Sequence, residues 1–189
     1  GTLAIVTAPG YTPALPTAHT VVTGAPVTGT FATVTGRVGV LGGRYTVDYL
    51  ASSVTLRFAP PAVTVTVPST LDLGTLSIGS SGAGSVAATV ENTYRGGYAL
   101  SVGRTSFPAA IPLRMELLGA PAGAELLGVS PGVPFTIPVN PAPGQSLGRR
   151  LGGPAPEESG LTPEGGSDSW QITVTGGPVG WAPAGTHTT

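Results

Sequence analysis

The chain has 189 residues, 30 of them Gly and 20 Pro, so roughly a quarter of it opposes helix. Each Gly costs a helix interior about 1 kcal/mol and each Pro about 3, and no fifteen-residue window avoids both while being rich in Leu, Glu, Lys and Ala. Charged residues are only 9% against 40% hydrophobic, which excludes charge-rich disorder too and leaves an all-β globular protein of one or two small domains.

Short runs of period-two alternation, bounded by Gly, Pro or Ser, predict strands along the whole chain. Leu3 to Val6 opens it, and a Pro-rich stretch follows to Thr17. His19 to Thr23, Thr30 to Thr35 and Arg44 to Leu50 come next, the last with Tyr45, Val47 and Tyr49 on one face. Ser53 to Phe58 leads to Ala62 to Val67, where Val63, Val65 and Val67 oppose Thr64 and Thr66. Leu71 to Ile78 is a weaker signal. Ser85 to Glu91, Tyr98 to Val102, Leu113 to Leu117, Phe135 to Val139 and Trp170 to Val174 complete the set. About a dozen short strands spaced near ten residues, with no βαβ signature, predict an antiparallel β-sandwich of Ig-like or jelly-roll type.

Ala32-Thr33-Val34 followed by Gly42-Gly43-Arg44-Tyr45 is echoed by Ala88-Thr89-Val90 followed by Gly96-Gly97-Tyr98. Each copy reads as a hairpin whose positive φ is supplied by glycine. The echo is either chance or the mark of two related halves, 1–60 and 61–189, divided at Pro60-Pro61. Within the second half, 141–168 is rich in Gly and Pro and lacks periodicity. It is expected to be a long surface loop, either a partner contact or a solvated insertion with weak ion pairs.

The net charge is −1, and all eight basic residues are Arg, scattered except for the pair Arg149-Arg150. Nucleic acid is thereby excluded as a partner, since phosphate binding needs clustered cations. The lack of Lys excludes Schiff-base and P-loop lysine chemistry, and the lack of Cys excludes disulfides, thiolate metal sites and thiol nucleophiles. No apolar run is long enough to span a bilayer, and a start on Gly1 reads as a secreted chain whose signal peptide has been removed, or as a trimmed one. A surface so poor in charge is either covered by neighbours or hydrated by its Thr, Ser and Gly.

No catalytic, cofactor or metal constellation is legible. His19 and His187 lack the partners of a zinc motif, and Asp48, Asp72 and Asp168 have no G-x-S-x-G elbow to serve; Gly79-Ser80-Ser81-Gly82 is an ordinary turn. Glu157, Glu158, Glu164 and Asp168 fit neither a calcium loop nor a glycosidase pair. Tyr45, Tyr98 and Trp170 sit on apolar faces and are expected in the core, whereas Trp181, between Gly180 and Pro183, is the aromatic candidate for an exposed contact.

Val67-Pro68-Ser69-Thr70-Leu71-Asp72-Leu73-Gly74, then Ala88-Thr89-Val90-Glu91-Asn92, then Gly97-Tyr98-Ala99-Leu100-Ser101-Val102 resemble the successive motifs of WxL-like bacterial surface proteins. Tyr98 stands where that family usually has Trp, and Leu73 where it often has Phe. The resemblance implies a secreted, non-catalytic β-sandwich at the bacterial surface, sometimes bound to the cell wall. Similar domains continue past a turn like Ala182 to His187 into a final strand, whereas this sequence stops at Thr189. A groove left by that strand would be filled from another subunit by β-strand addition, with Leu3, Ile5 and Val6 as the donor; a continuation of the chain beyond Thr189 is the alternative. Ile5→Asp is then expected to abolish assembly while leaving the fold intact.

The expectation is a non-enzymatic extracellular structural protein that assembles with copies of itself into a fibre, pilus or surface layer. Its candidate contacts are Leu3, Ile5, Val6, Trp181, Arg149 and Arg150. One alternative is a monomeric adhesin module binding cell wall or glycans, and another is a phage capsid-decoration or tail protein.

Overall fold

A computed structural model describes residues 1–15, 17–39, 42–104, 111–139, 144–152 and 159–180. Among them there is no helix, and the strands run in chain order as β1 (Thr2–Ala4), β2 (Ala18–Thr23), β3 (Thr33–Thr35), β4 (Arg44–Leu50), β5 (Ser53–Ala59), β6 (Val63–Thr66) and β7 (Gly82–Asn92). They continue as β8 (Gly97–Val102), β9 (Leu113–Gly119), β10 (Glu125–Leu126), β11 (Phe135–Thr136), β12 (Gln145–Leu151) and β13 (Asp168–Gly176). The fold is all-β, of β-sandwich type, with no closed barrel among the described residues.

The strands pair as β1-β3, β2-β5-β4, β10-β12-β8 and β11-β9-β13-β7-β6. Tertiary contacts gather the chain into two compact units: 1–64 with 91–98 and 151–166, and 65–90 with 99–150 and 167–189.

In the first unit the alternation of β4 and β5 builds the core directly. Antiparallel register sets Tyr45 opposite Phe58, Val47 opposite Leu56 and Tyr49 opposite Val54, so apolar side chains of neighbouring strands share one face. Tyr45, Val47, Val54, Leu56 and Phe58 are buried, and Leu3, Ile5, Val27, Phe31 and Val34 pack onto them. The small parallel sheet supplies Leu3 and Val34 as direct register partners.

The second unit is organised by β13. Trp170 faces Ala88 of β7, and Ile172 stands between Val86 of β7 and Leu117 of β9. Leu113, Met115 and Leu117 alternate inward along β9. Trp170 is wholly buried, and its ring lies over the backbone of Gly148 in β12.

Four expectations need correction. The echoed Gly-Gly pairs do not join the strands foreseen, since β3 pairs with β1 and β7 and β8 lie in different sheets; around Gly42-Gly43 the chain does fold back on itself, with Val38 bridging Arg44 antiparallel and the Gly39 N–H donating to Gly43 O at 2.8 Å. Gly42 and Gly97 both take positive φ, at 79° and 81°, the first within that tight turn and the second where the chain passes from the sheet of β7 to that of β8. Leu71 to Ile78 is no strand, because Asp72 Oδ1 accepts the Gly74 N–H at 2.8 Å and turns the backbone. The stretch 141–168 is not one loop, since β12 occupies Gln145–Leu151 within it. There Leu147 is buried but shares its face with Gln145, Arg149 and the exposed Leu151, and Gly148 is buried on the other face, so no apolar alternation marks the strand. Finally, the strand foreseen from Phe135 to Val139 ends at Thr136, and Pro138 has no N–H with which to prolong a ladder.

Candidate interaction surface

The sheet edges are where an all-β protein offers unpaired backbone groups to a partner, and most natural edges are short, bulged, charged or covered. Among the described strands, β11 is only two residues long. β4 is covered: the Tyr45 N–H donates to Arg37 O at 2.7 Å, and the Val47 N–H to Glu164 Oε1 at 3.2 Å. β2 carries a register shift between Thr20 and Val22, and its His19 ring is engaged by the Tyr11 hydroxyl at 2.6 Å from Nε2.

β6, four residues long, carries no charge and is exposed throughout. It is the last strand of the five-stranded sheet. Val63, Val65 and the following Val67 are 45%, 49% and 57% exposed. No charged residue occurs between Arg57 and Asp72.

The backbone orientation of β6 follows from its neighbours. The Ala62 N–H donates to Thr93 Oγ1 at 3.0 Å and the Thr93 N–H to Ala62 O at 2.9 Å, while Thr89 Oγ1 donates to Thr66 O at 3.4 Å. Ala62 and Thr66 therefore turn their backbone groups towards β7. Alternation along a strand then turns those of Val63, Val65 and Val67 towards the open edge.

The residues singled out from sequence are placed differently from one another. Leu3 and Ile5 lie on the core of their own unit, and the Ile5 N–H donates to Thr35 O at 2.9 Å; only Val6, 88% exposed, projects freely. Arg149 faces its cross-strand neighbour Glu125 with Nε to Oε2 at 2.9 Å. That hydrogen bond, and then the charge of Glu125, raise the Arg149 guanidinium pKa, which only reinforces a cation. Arg150 is half-hidden and grips Asp168 with two nitrogens, at 2.7 and 2.6 Å, while its Nη2 also donates to Ala122 O at 2.9 Å. Arg150 is thus a structural brace. Trp181, His187, Glu157 and Glu158 lie outside the described residues.

Tyr45, Tyr98 and Trp170 are buried, as expected of core aromatics. Glu164 is bound by Arg37. Among the described residues no three His, Cys, Asp or Glu side chains gather where they could hold a metal, and no helix is long and apolar enough to cross a membrane. What the sequence reading missed is the β6 edge: Val63 to Val67 was read as ordinary alternation, and its available signal was the symmetry of V-T-V-T-V.

Comparison with family models, with curated proteins and with solved structures finds no match for the chain.

Proposed function

We propose that this is a non-enzymatic extracellular structural protein whose copies assemble with one another at a bacterial surface. The observation that carries the reading is the uncharged, exposed edge strand β6, in a chain with only 9% charged residues. A monomer kept permanently apart from its copies would be served by a charge within such an edge, whereas β6 has Pro only at its two ends and no charge between them; a subunit that assembles uses the edge instead. The likeness of Val67 to Gly74, Ala88 to Asn92 and Gly97 to Val102 to WxL-like motifs supports the surface location.

The placement of Leu3 and Ile5 favours pairing of edges over donation of the N-terminal strand. A donated Leu3 to Val6 segment would first have to leave the core of its own unit. The test is light scattering after size-exclusion chromatography over a wide concentration range, with negative-stain electron microscopy of the concentrated fractions. Mass that rises with concentration, ending in regular oligomers or filaments, is the expected result. A monomer at every concentration overturns the reading.

A further inference from the structure

β6 has a property beyond exposure: the sequence Val63-Thr64-Val65-Thr66-Val67 reads the same in both directions. An antiparallel pair of identical strands related by a two-fold axis places residue 65 − n opposite residue 65 + n. Centred on Val65, that axis sets Val63 against Val67 and Thr64 against Thr66. Every cross-strand pair then joins like to like, and no charge meets another.

The backbone supplies an independent check on that register. An antiparallel two-fold passes through either a hydrogen-bonded pair or a non-hydrogen-bonded pair. The groups of Val63, Val65 and Val67 face the open edge, as fixed by the Ala62 and Thr66 contacts with Thr93 and Thr89. The residue at the centre of the palindrome is therefore one whose N–H and C=O point outwards. Val65 can exchange both hydrogen bonds with its own copy, and Val63 can do so with Val67. Had the outward groups belonged to Thr64 and Thr66, the symmetric register would have left the central pair unbonded.

The ends of the segment limit the contact. Pro60 and Pro61 precede it and Pro68 follows it, and none of them has an N–H to extend a ladder. Pairing is confined to residues 63 to 67, and a two-fold contact closes on itself.

We propose that β6 is a self-pairing edge, through which two copies of the chain form an antiparallel, two-fold dimer centred on Val65. The partner is a second copy of this chain, and the two five-stranded sheets become one continuous sheet. The proposal rests on the self-assembly reading above and names the first contact in that assembly. So short an interface makes the dimer weak and concentration-dependent.

The test is sedimentation velocity of the intact chain across a concentration series, with a thermal melt of each variant. Val65→Pro removes an outward N–H and no hydrogen bond to β7, and Val65→Lys sets two like charges face to face on the axis. Each is expected to weaken dimerisation at least about tenfold with the melting temperature unchanged. The chain has no Cys, so Val65→Cys introduces a single thiol. Paired residues at this position stand about 5.5 Å apart between Cα atoms, within disulfide reach, so mild oxidation should give a covalent dimer. Ser69→Cys, far from the axis in this register, should stay uncrosslinked. A wild type that is monomeric throughout overturns both this pairing and the self-assembly reading. A wild type that associates, with Val65→Lys unchanged and Val65→Cys no more crosslinked than Ser69→Cys, overturns the pairing alone. Should Val65→Pro fail to fold, the lysine and cysteine variants decide.

Discussion

Gly148 lies under the ring of Trp170: a Cβ built on Gly148 would stand 2.5 Å from the ring carbon Cη2 and 2.9 Å from Cζ3. Trp170 is fully buried, so the ring cannot swing into solvent to make room. Glu125 O, 2.7 Å from the same Cβ, closes the other direction. Gly148→Ala should therefore cost about 1–3 kcal/mol by overpacking. Gly119→Ala is the control, since its nearest neighbour is Gln171 Cβ at 3.9 Å. Urea unfolding followed by Trp fluorescence should show a lowered midpoint for the first variant only.

The ion pairs of two adjacent arginines of β12 should differ in what their loss costs. Arg150 and Asp168 have side chains 13% and 4% exposed, so removing one partner leaves the other charge in a poorly hydrated site. Asp168→Ala is expected to destabilise by about 3–5 kcal/mol, and Arg150→Met with Asp168→Leu together by less than that single change. Arg149 meets Glu125 at the surface, where solvent screens the pair. Arg149→Ala should leave the midpoint where it was. A chemical-denaturation series on the four proteins checks all of this.

The contrast shows how far the fold was legible in the sequence. Where both faces of a strand differ in chemistry, as in Leu113, Met115 and Leu117 or in Tyr45 and Val47, alternation named the strand and its buried side, although Tyr49 at the end of β4 is exposed. β12 was hidden because Leu147 shares its face with Gln145 and Arg149, and because Gly148 is buried against Trp170 by a contact between strands that no local pattern records. The same non-locality brings 91–98 and 151–166 into the first unit, and no local pattern encodes such a return. The edge position of β6 was equally hidden. Alternation records which side chains share a face, whereas edge or centre depends on which strand lies beside which.

Asn92 and Thr162 tie two such returning segments together. Asn92 is fully buried; its Nδ2 donates to Tyr94 O at 2.8 Å and Gly160 O at 2.5 Å, and its Oδ1 accepts the Tyr94 N–H at 2.9 Å. Thr162 Oγ1 accepts the Asn92 N–H at 3.1 Å and donates to Asn92 O at 3.2 Å. Asn92→Ala leaves two carbonyls without their donor and should cost about 2–4 kcal/mol. Asn92→Asp should cost more, because it sets a carboxylate against the same two carbonyls in a buried site. Hydrogen exchange should show the loss concentrated at 91–98 and 159–166. Equal stability of the Asp variant and the wild type would contradict this account of the clip.

Ile5 is held by a glycine as well as by the core. A Cβ on Gly36 would collide with the Ile5 carbonyl oxygen, and Gly36 has a φ of 71°, which any L side chain would strain. Gly36→Ala should therefore lift the N-terminal strand from β3 and expose residues 1 to 6 to protease. Ile5→Asp should do the same by placing a charge against Tyr45, Phe58 and their neighbours, at a cost of about 1–2 kcal/mol from the lost burial of the Ile side chain. Both changes act on stability within one chain. Limited proteolysis with mass spectrometry would locate the first cut. A first cut within residues 1 to 6, in both variants and not in the wild type, is the expected pattern. An N-terminus as resistant as the wild type's would mean that neither Gly36 nor Ile5 secures this strand.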